Sequence, residues 1–281
     1  MVWRRKYWDI VDQLYWSPKY LGLKSIPKKD WTRSEGRISV PAELVGQTLY
    51  SRKVQSDHNE AWLHTQEEIL NHFFDLTFAI APDDLVERIL LKPFEFIDLG
   101  HFESLGREVR DRYNWGYNEN VTQQDGLFVS NKTALAVELK LGSKSSRSQI
   151  IKYAALLAWE ERTNGTKDQL GLLYIVPENA RMDHWKKCGV ADPDNIRFLL
   201  ENVDFILPPK ISAFLAEEPQ LIRSVCDRMK LEVITWHDLR FSLETYRQQL
   251  NLQHRGDQTL DKLIAGFLDQ LSKHQETGLK S

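Results

Sequence analysis

Two carboxylates and one lysine accompany neighbouring apolar segments in the middle of the chain. Asp125 precedes one segment, and the next segment carries Glu138, which a single residue separates from Lys140. Because side chains alternate along a strand, Glu138 and Lys140 point to one side of it while Val137 and Leu139 point to the other. Burying either charge without a partner is costly. A hard divalent cation held by Asp125 and Glu138, with Lys140 beside it, would remove that cost, so the spacing indicates a metal site.

Apolar periodicity and turn residues predict a mixed α/β chain, with a central sheet wrapped by helices. Strands are predicted over 109–115, 125–130, 134–141, 170–176 and 231–236, and a hairpin turn joins the second and third of them. Helices are predicted over 5–15, 57–78, 82–91, 147–162, 180–187, 193–202, 209–229 and 258–273, and Asp238 is expected to cap a helix after the last strand. Residues 17–48, punctuated by Pro and Gly, are expected to be irregular.

The order of the central residues resembles that of a nuclease superfamily. The residues that carry the likeness are Asp125, Glu138, Leu139, Lys140, Gln149 and Tyr153. They are similar to the motif of the PD-(D/E)XK superfamily, with its restriction-endonuclease-like fold, and to the QxxxY element of its RecB-like branch. The resemblance covers roughly residues 55–176. It implies a core of helix, three strands, helix and strand. Outside that core, the residue patterns predict a helical and irregular extension at the N-terminus and further helices at the C-terminus.

The likeness has two departures. Gln124 stands where the family often has proline, and the family's acid on the first helix cannot be placed by a motif. Glu60 is the preferred candidate because it opens the long helix before the sheet, while Glu67, Glu68 and Glu108 remain alternatives.

The resemblance implies phosphodiester hydrolysis with a bound Mg²⁺ ion, for which Mn²⁺ can substitute. Asp125, Glu138 and the backbone carbonyl of Leu139 would hold the ion, which neutralises the phosphate and lowers the pKa of a bound water. Lys140 would orient the attacking water or stabilise the charge of the transition state. The predicted function is therefore a metal-dependent endonuclease that acts on DNA.

The next helix contributes further candidate residues. Gln149 and Tyr153 share one helical face, which the resemblance turns toward the active site, although Tyr153 is equally well explained as a core tyrosine. Lys144, Arg147 and Lys152 surround the same edge and are candidates for binding the phosphates of the cleaved strand. The alternative for this region is a solvated helix.

Composition separates the first residues from the rest. Residues 1–40 hold nine Lys/Arg against four Asp/Glu, a balance of +5, whereas the remaining residues hold 28 against 36, a balance of −8. Four of the nine tryptophans also lie in that first segment. We therefore expect residues 1–50 to form a basic, aromatic-rich extension and residues 51–281 to form the nuclease-like domain. The extension either grips nucleic acid or packs its aromatics into a small subdomain.

The remaining features of the sequence concern the redox compartment, membrane segments, alternative functions and assembly. Two cysteines without a CxxC pair favour a reducing cytoplasm, and neither a membrane span nor a signal peptide is expected. A non-catalytic nucleic-acid-binding or assembly protein on the same fold is the main alternative function, and an RNA nuclease is a lesser one. The apolar stripe of helix 258–273 suits core packing or a dimer contact, so a homodimer or a larger defence or repair assembly stays open.

Overall fold

The computed structural model describes residues 67–105, 124–141, 145–193, 196–201 and 207–274, together with residues 277 and 279 and two short strands near the N-terminus. The chain divides into two units, Met1–Ile69 and Leu70–Ser281. In the first unit, β1 (Thr32–Ser34) pairs antiparallel with β2 (Arg37–Ser39). The expectation that residues 17–48 are wholly irregular is therefore wrong at this hairpin. The predictions for 5–15, 109–115, Glu60, Lys144 and Glu108 lie outside the described residues.

The second unit is built on a five-stranded mixed sheet. Its strands are β3 (Glu103–Ser104), β4 (Gly126–Val129), β5 (Thr133–Leu139), β6 (Gln169–Val176) and β7 (Met229–Thr235). They lie in chain order; the β3–β4 and β4–β5 pairs are antiparallel, and the β5–β6 and β6–β7 pairs are parallel. The predicted α/β class is confirmed. The carboxyl ends of β5, β6 and β7 meet at one edge, and the amino end of β4 lies at that edge too.

Helices flank the sheet. They are α1 (Glu67–Ile80), α2 (Asp83–Leu85), α3 (Arg147–Asn164), α4 (His184–Cys188), α5 (Phe198–Glu201), α6 (Pro209–Glu217), α7 (Pro219–Arg228), α8 (Trp236–Gln248) and α9 (Arg255–Lys273). A π-helical turn, Val86–Leu91, and a 3₁₀ turn, Lys92–Phe94, follow α2, and a second 3₁₀ turn, Glu178–Asp183, leads into α4.

One helix prediction needs correction, and two others are made more specific. The segment 209–229, within which helices are predicted, holds two, because the chain leaves helical geometry at Glu218 and restarts with Pro219 at the first turn. Within 193–202, the described helix is confined to Phe198–Glu201. The cap of α8 is Thr235, not Asp238: the two form a capping box, in which each side chain accepts from the other's backbone N–H.

Helix α3 covers the face of the sheet that carries the candidate residues. Ser146 caps its N-terminus by accepting from the Gln149 N–H. Ile150, Tyr153 and other side chains of α3 join one buried apolar cluster with alternate residues of four strands. These strand residues are Leu127, Val129, Ala134, Ala136, Leu170, Leu172, Tyr174, Val176, Met229 and Leu231. By the same alternation, Asp125, Glu138 and Lys140 face α3.

An aromatic cluster fixes α1 against the sheet. The ring of Phe74 lies 4.7 Å from Phe78, 6.3 Å from Phe128 on β4 and 6.2 Å from Phe267 on α9, centroid to centroid. Gly126 permits this approach, since a Cβ atom there would lie 3.1 Å from the Phe74 ring. The turn of α1 before Phe74 is thereby held beside the start of β4. Among the described helices, none is both long enough and apolar enough to cross a membrane.

Candidate active site

Glu138 is the centre of the candidate site. Its Oε1 accepts from the Lys140 ammonium and from the Gln149 amide, and its Oε2 accepts from the Tyr153 hydroxyl. Lys140 follows β5, whereas Gln149 and Tyr153 come from one face of α3. Burial, Glu138 and Asp125 together raise the pKa of Tyr153 well above its usual value, so the phenol stays protonated and donates. Tyr153 is therefore a buried residue that also holds the central carboxylate.

Asp125 lies opposite Glu138 across the antiparallel pair. The β4–β5 register pairs Gly126 with Val137, and continuing it by one residue sets Asp125 against Glu138. Residues opposed in this way have Cβ atoms about 4.5–5.5 Å apart on one face. The Asp125 carboxylate is oriented by the Leu139 N–H, which donates to Oδ2 at 2.8 Å. The structure thus brings the two predicted carboxylates together, with Leu139 as the backbone element between them.

Asn71 is a site residue that the sequence analysis missed. It lies on α1, is 3% exposed, and its Nδ2 donates to Asp125 Oδ1. Its Oδ1 atom is buried and has no hydrogen-bond partner among the residues that the structure describes. Asn71 is 54 residues from Asp125 in sequence, and an asparagine on an apolar helix carries no motif. Its position after Leu70 and before two buried phenylalanines was the available signal, because a polar residue on a buried stripe needs a partner.

The backbone of Lys140 is held from two sides. Its N–H donates to the Ile175 carbonyl at 2.9 Å, and its own carbonyl accepts from the Trp236 indole N–H at 2.8 Å. Trp236 is fully buried at the start of α8. The lysine is therefore fixed between β6 and α8, with its ammonium directed at Glu138.

Two of the three predicted phosphate-binding residues, Arg147 and Lys152, lie among the described residues. Arg147 packs over Gly189, where a Cβ atom would lie 2.8 Å from the arginine Nε, and Gly189 has a left-handed φ of 74° that also favours glycine. Lys152 is half-buried on α3. Lys144 falls outside the described residues.

Helix α4 adds a histidine and a cysteine next to the lysine. His184 is buried, with its Nε2 3.5 Å from Cys188 Sγ and its ring 4.7 Å from the Tyr174 ring. Burial, reinforced by the Lys140 charge, lowers the pKa of His184 to about 4, so the ring is neutral at neutral pH. Burial also raises the pKa of the Cys188 thiol. A neutral imidazole and a protonated thiol do not form the charged cysteine–histidine pair of a nucleophilic site.

The chemistry of the donors decides which metal the site could take. No group of three or more His, Cys, Asp or Glu side chains is placed to share an ion within the described part of the chain. Two carboxylates, the Asn71 amide oxygen and the backbone around Leu139 are hard oxygen donors, which suit Mg²⁺ or Mn²⁺ and not zinc. Mg²⁺ keeps several waters and needs few carboxylates. The residues present therefore fit such an ion.

No family model, curated protein or solved structure matches the chain. The case for a function consequently depends on the geometry and chemistry of these residues.

Proposed function

We propose that the chain is a divalent-metal-dependent nuclease that hydrolyses phosphodiester bonds in DNA. The observation that carries the proposal is the opposition of Asp125 and Glu138 on one sheet face, with the Lys140 ammonium bound to Glu138. Two carboxylates and a lysine in this arrangement combine a hard-metal site with a fixed positive charge. Phosphodiester cleavage needs both, because the substrate's negative charge repels a nucleophile.

The order of the elements supports a PD-(D/E)XK assignment. Helix α1 precedes the antiparallel strands β3, β4 and β5, and α3 then connects β5 to the parallel strand β6. This is the order that the sequence resemblance implies. Asp125 precedes the second of these three strands, and Glu138 lies on the third.

Asp125, Glu138, the Asn71 amide oxygen and the Leu139 carbonyl would hold the ion. When bound, Mg²⁺ neutralises phosphate charge and lowers the pKa of a coordinated water. Asn71 would supply an oxygen from the first helix, the element for which the sequence analysis chose Glu60. Its amide orients Asp125 through one atom and offers an oxygen through the other.

The other residues position the site and stabilise charge. Lys140 stands where it can compensate the negative charge that develops on the phosphate, and its anchored backbone limits the cost of reorganisation. Gln149 and Tyr153 hold the Glu138 carboxylate in one orientation and are positioning residues. Arg147, which packs over Gly189, and Lys152 on α3 would bind the phosphates of the substrate strand.

One observation favours a non-catalytic alternative. Every carboxylate oxygen of Asp125 and Glu138 already accepts a hydrogen bond from a protein donor. A binding or assembly protein would use this closed arrangement to stabilise the sheet edge, with no ion.

Metal titration and a substrate panel separate the two functions. The purified chain should bind Mn²⁺ in calorimetry, and Asp125→Ala should abolish that binding. Glu178→Ala, which removes an exposed carboxylate from the turn after β6, serves as the control and should bind normally. Single- and double-stranded DNA and RNA are then offered with Mg²⁺. Cleavage of DNA supports the proposal, cleavage of RNA alone changes the substrate, and no Mn²⁺ binding with no cleavage favours the closed, non-catalytic protein.

A further inference from the structure

A recessed cavity of about 290 Å³ opens beside Lys140. This volume is close to the lower limit of ~300 Å³ for pockets that bind small molecules. Lys140 and Leu141 line it from the end of β5, Val176 from the end of β6, and Asn179, His184 and Lys187 from the segment that follows. The cavity therefore begins at the residue that we place next to the cleaved phosphate.

The lining is positively charged. Lys140 and Lys187 both contribute to it, and none of the described lining residues is Asp or Glu. Each lysine also has an acidic partner outside the lining: Lys140 binds Glu138, and Lys187 lies 3.0 Å from Asp183 on the exposed side of α4. His184 is neutral, so it offers a hydrogen bond and no competing charge.

A buried tyrosine packs against the cavity lining: the ring of Tyr174 lies 4.7 Å from the His184 ring, centroid to centroid. Tyr174 and Val176 are alternate residues of β6 and face the same side, and Val176 lines the cavity. The Tyr174 hydroxyl is fully buried and has no hydrogen-bond partner within the part of the chain that the structure describes. A buried polar group of this kind commonly reports a ligand or a water that completes it.

We propose that this cavity binds the phosphate group at the end of a nucleic-acid strand, one position from the bond that is cleaved. The inference rests on the proposed function, because the cavity adjoins Lys140. A terminal phosphate monoester carries about −1.5 to −2 charges at neutral pH, against one for an internal diester, so two ammonium groups favour the chain end. A recess of this volume also suits one phosphate-bearing nucleotide better than a strand that continues in both directions.

The test measures binding in EDTA, where cleavage does not occur. Short single-stranded oligonucleotides with a 5′-phosphate, a 3′-phosphate or no terminal phosphate are titrated by fluorescence anisotropy. One phosphorylated end should bind about tenfold tighter than the unphosphorylated strand. Lys187→Gln should remove most of this preference, and Asn179→Asp should do the same by adding a carboxylate to the lining. Lys186→Gln is the matched control, because it removes the same charge from a neighbouring exposed residue that does not line the cavity.

The outcomes distinguish this inference from the nuclease itself. Equal affinity of all three oligonucleotides for the wild-type chain overturns it, as does an equal loss in Lys186→Gln. Inorganic phosphate is titrated against the wild-type chain and against Lys187→Gln. If it binds only the wild-type chain while a terminal phosphate gives oligonucleotides no higher affinity, the cavity takes free phosphate and the strand-end assignment is wrong. A preference for phosphorylated ends that depends on Lys187 supports the inference even if the protein cleaves nothing, in which case the proposed function alone fails.

Discussion

The two ends of the central strands each bury glutamate and lysine, but in different surroundings. Beyond the amino end of β6, Glu160 contacts Lys167 Nζ and the Asn164 side chain. The neighbouring Glu161 accepts from the Lys167 N–H and from Arg228. Lys167 also donates to the Ser130 carbonyl at 2.8 Å. Two carboxylates thus meet two cationic side chains, and Lys167 also lines a cavity of about 650 Å³.

At the carboxyl end of β5, Asp125 and Glu138 share the site with one lysine and with neutral donors from Asn71, Gln149 and Tyr153. A buried amide oxygen and a buried phenol lack partners nearby, and a cavity adjoins the lysine. Natural cores rarely leave polar atoms without partners unless a ligand or a function compensates. The comparison teaches that a buried Glu–Lys pair, even beside a cavity, is not by itself a functional signal. What distinguishes the β5 end is that two opposed carboxylates are held largely by neutral donors from Asn71, Gln149 and Tyr153.

The largest expected effect is on catalysis at the β5 end. Asp125→Ala should lower the rate of DNA cleavage about ten-thousandfold, which is the scale of losing one essential catalytic group. The melting temperature should change little, since Gly126 and Leu127 continue to anchor β4 through the β5 pairing. Cleavage rate and melting temperature are measured on the same preparation. Retained activity in a folded variant would remove Asp125 from the site.

Replacing each of the two lysines with alanine tests the comparison directly. Lys140→Ala should cost about 10²–10³-fold in cleavage rate while Mn²⁺ still binds, because Asp125 and Glu138 are untouched. Lys167→Ala leaves Glu160 buried without its cation and should lower the unfolding free energy by about 3–5 kcal/mol. Its cleavage rate per folded molecule should stay at the wild-type value. If Lys140→Ala behaves like Lys167→Ala, with lost stability and intact activity, the β5 end is a structural ion pair.

The pH dependence of stability should carry the signature of His184. Its folded pKa of about 4 lies below the 6.5 of an unperturbed histidine, so the unfolded chain takes up a proton between these values while the folded chain does not. Stability therefore falls as pH drops through this window, by about 3 kcal/mol at its lower end, and is unaffected above it.

Denaturant titrations of His184→Gln should show a shallower decline between pH 6.5 and 4 than the wild type. His101→Gln is the control with the opposite sign, because Asp83 raises the pKa of exposed His101 and its protonated form favours the folded state. Identical pH profiles for His184→Gln and the wild type would show that the ring titrates normally.

The smallest effect is expected at Asn71. Asn71→Leu removes both the donor to Asp125 and the unpartnered oxygen, and should weaken Mn²⁺ binding about 10–100-fold, as loss of an orienting partner does. Asn71→Asp supplies a carboxylate in the same volume and should tighten Mn²⁺ binding relative to the wild type. Calorimetric titration checks both variants. Equal affinity in all three proteins would mean that Asn71 only packs α1.

Local patterns predicted the parts of the fold that have local causes. The apolar alternation that follows Asp125 and surrounds Glu138 gave both central strands to within two residues, and Ser146 with the apolar spacing after it gave the start of α3. Within the predicted helical segment 209–229, Pro219 marks the start of a second helix, because proline lacks the N–H that a continuous helix needs there. The sequence favoured Asp238 as the cap of α8, whereas the structure has Thr235 there. Threonine and aspartate are both common capping residues, so the sequence alone does not separate the two members of a capping box.

The parts of the site that sequence could not give depend on distant contacts. Asn71 reaches Asp125 only because Phe74 packs on Phe128 and Phe267, and no spacing in the chain encodes that approach. Gln149 and Tyr153 were predicted to share a helical face, but their common acceptor, Glu138, follows from how α3 crosses the sheet. The cavity beside Lys140 likewise depends on where α4 lies. The basic extension of residues 1–50 and the choice of Glu60 stay predictions.

The most direct measurement of the central claim is metal-switched cleavage of DNA by the wild-type protein, with Asp125→Ala from a parallel purification as the control for contaminating nucleases. We predict nicking or degradation with Mg²⁺ or Mn²⁺ and without ATP, arrest by EDTA, recovery when excess Mg²⁺ is restored, and little turnover with Ca²⁺. Cleavage that persists in EDTA, equal cleavage by Asp125→Ala, or no cleavage of single- or double-stranded DNA by a protein that binds Mn²⁺ at Asp125 and Glu138 would contradict the account.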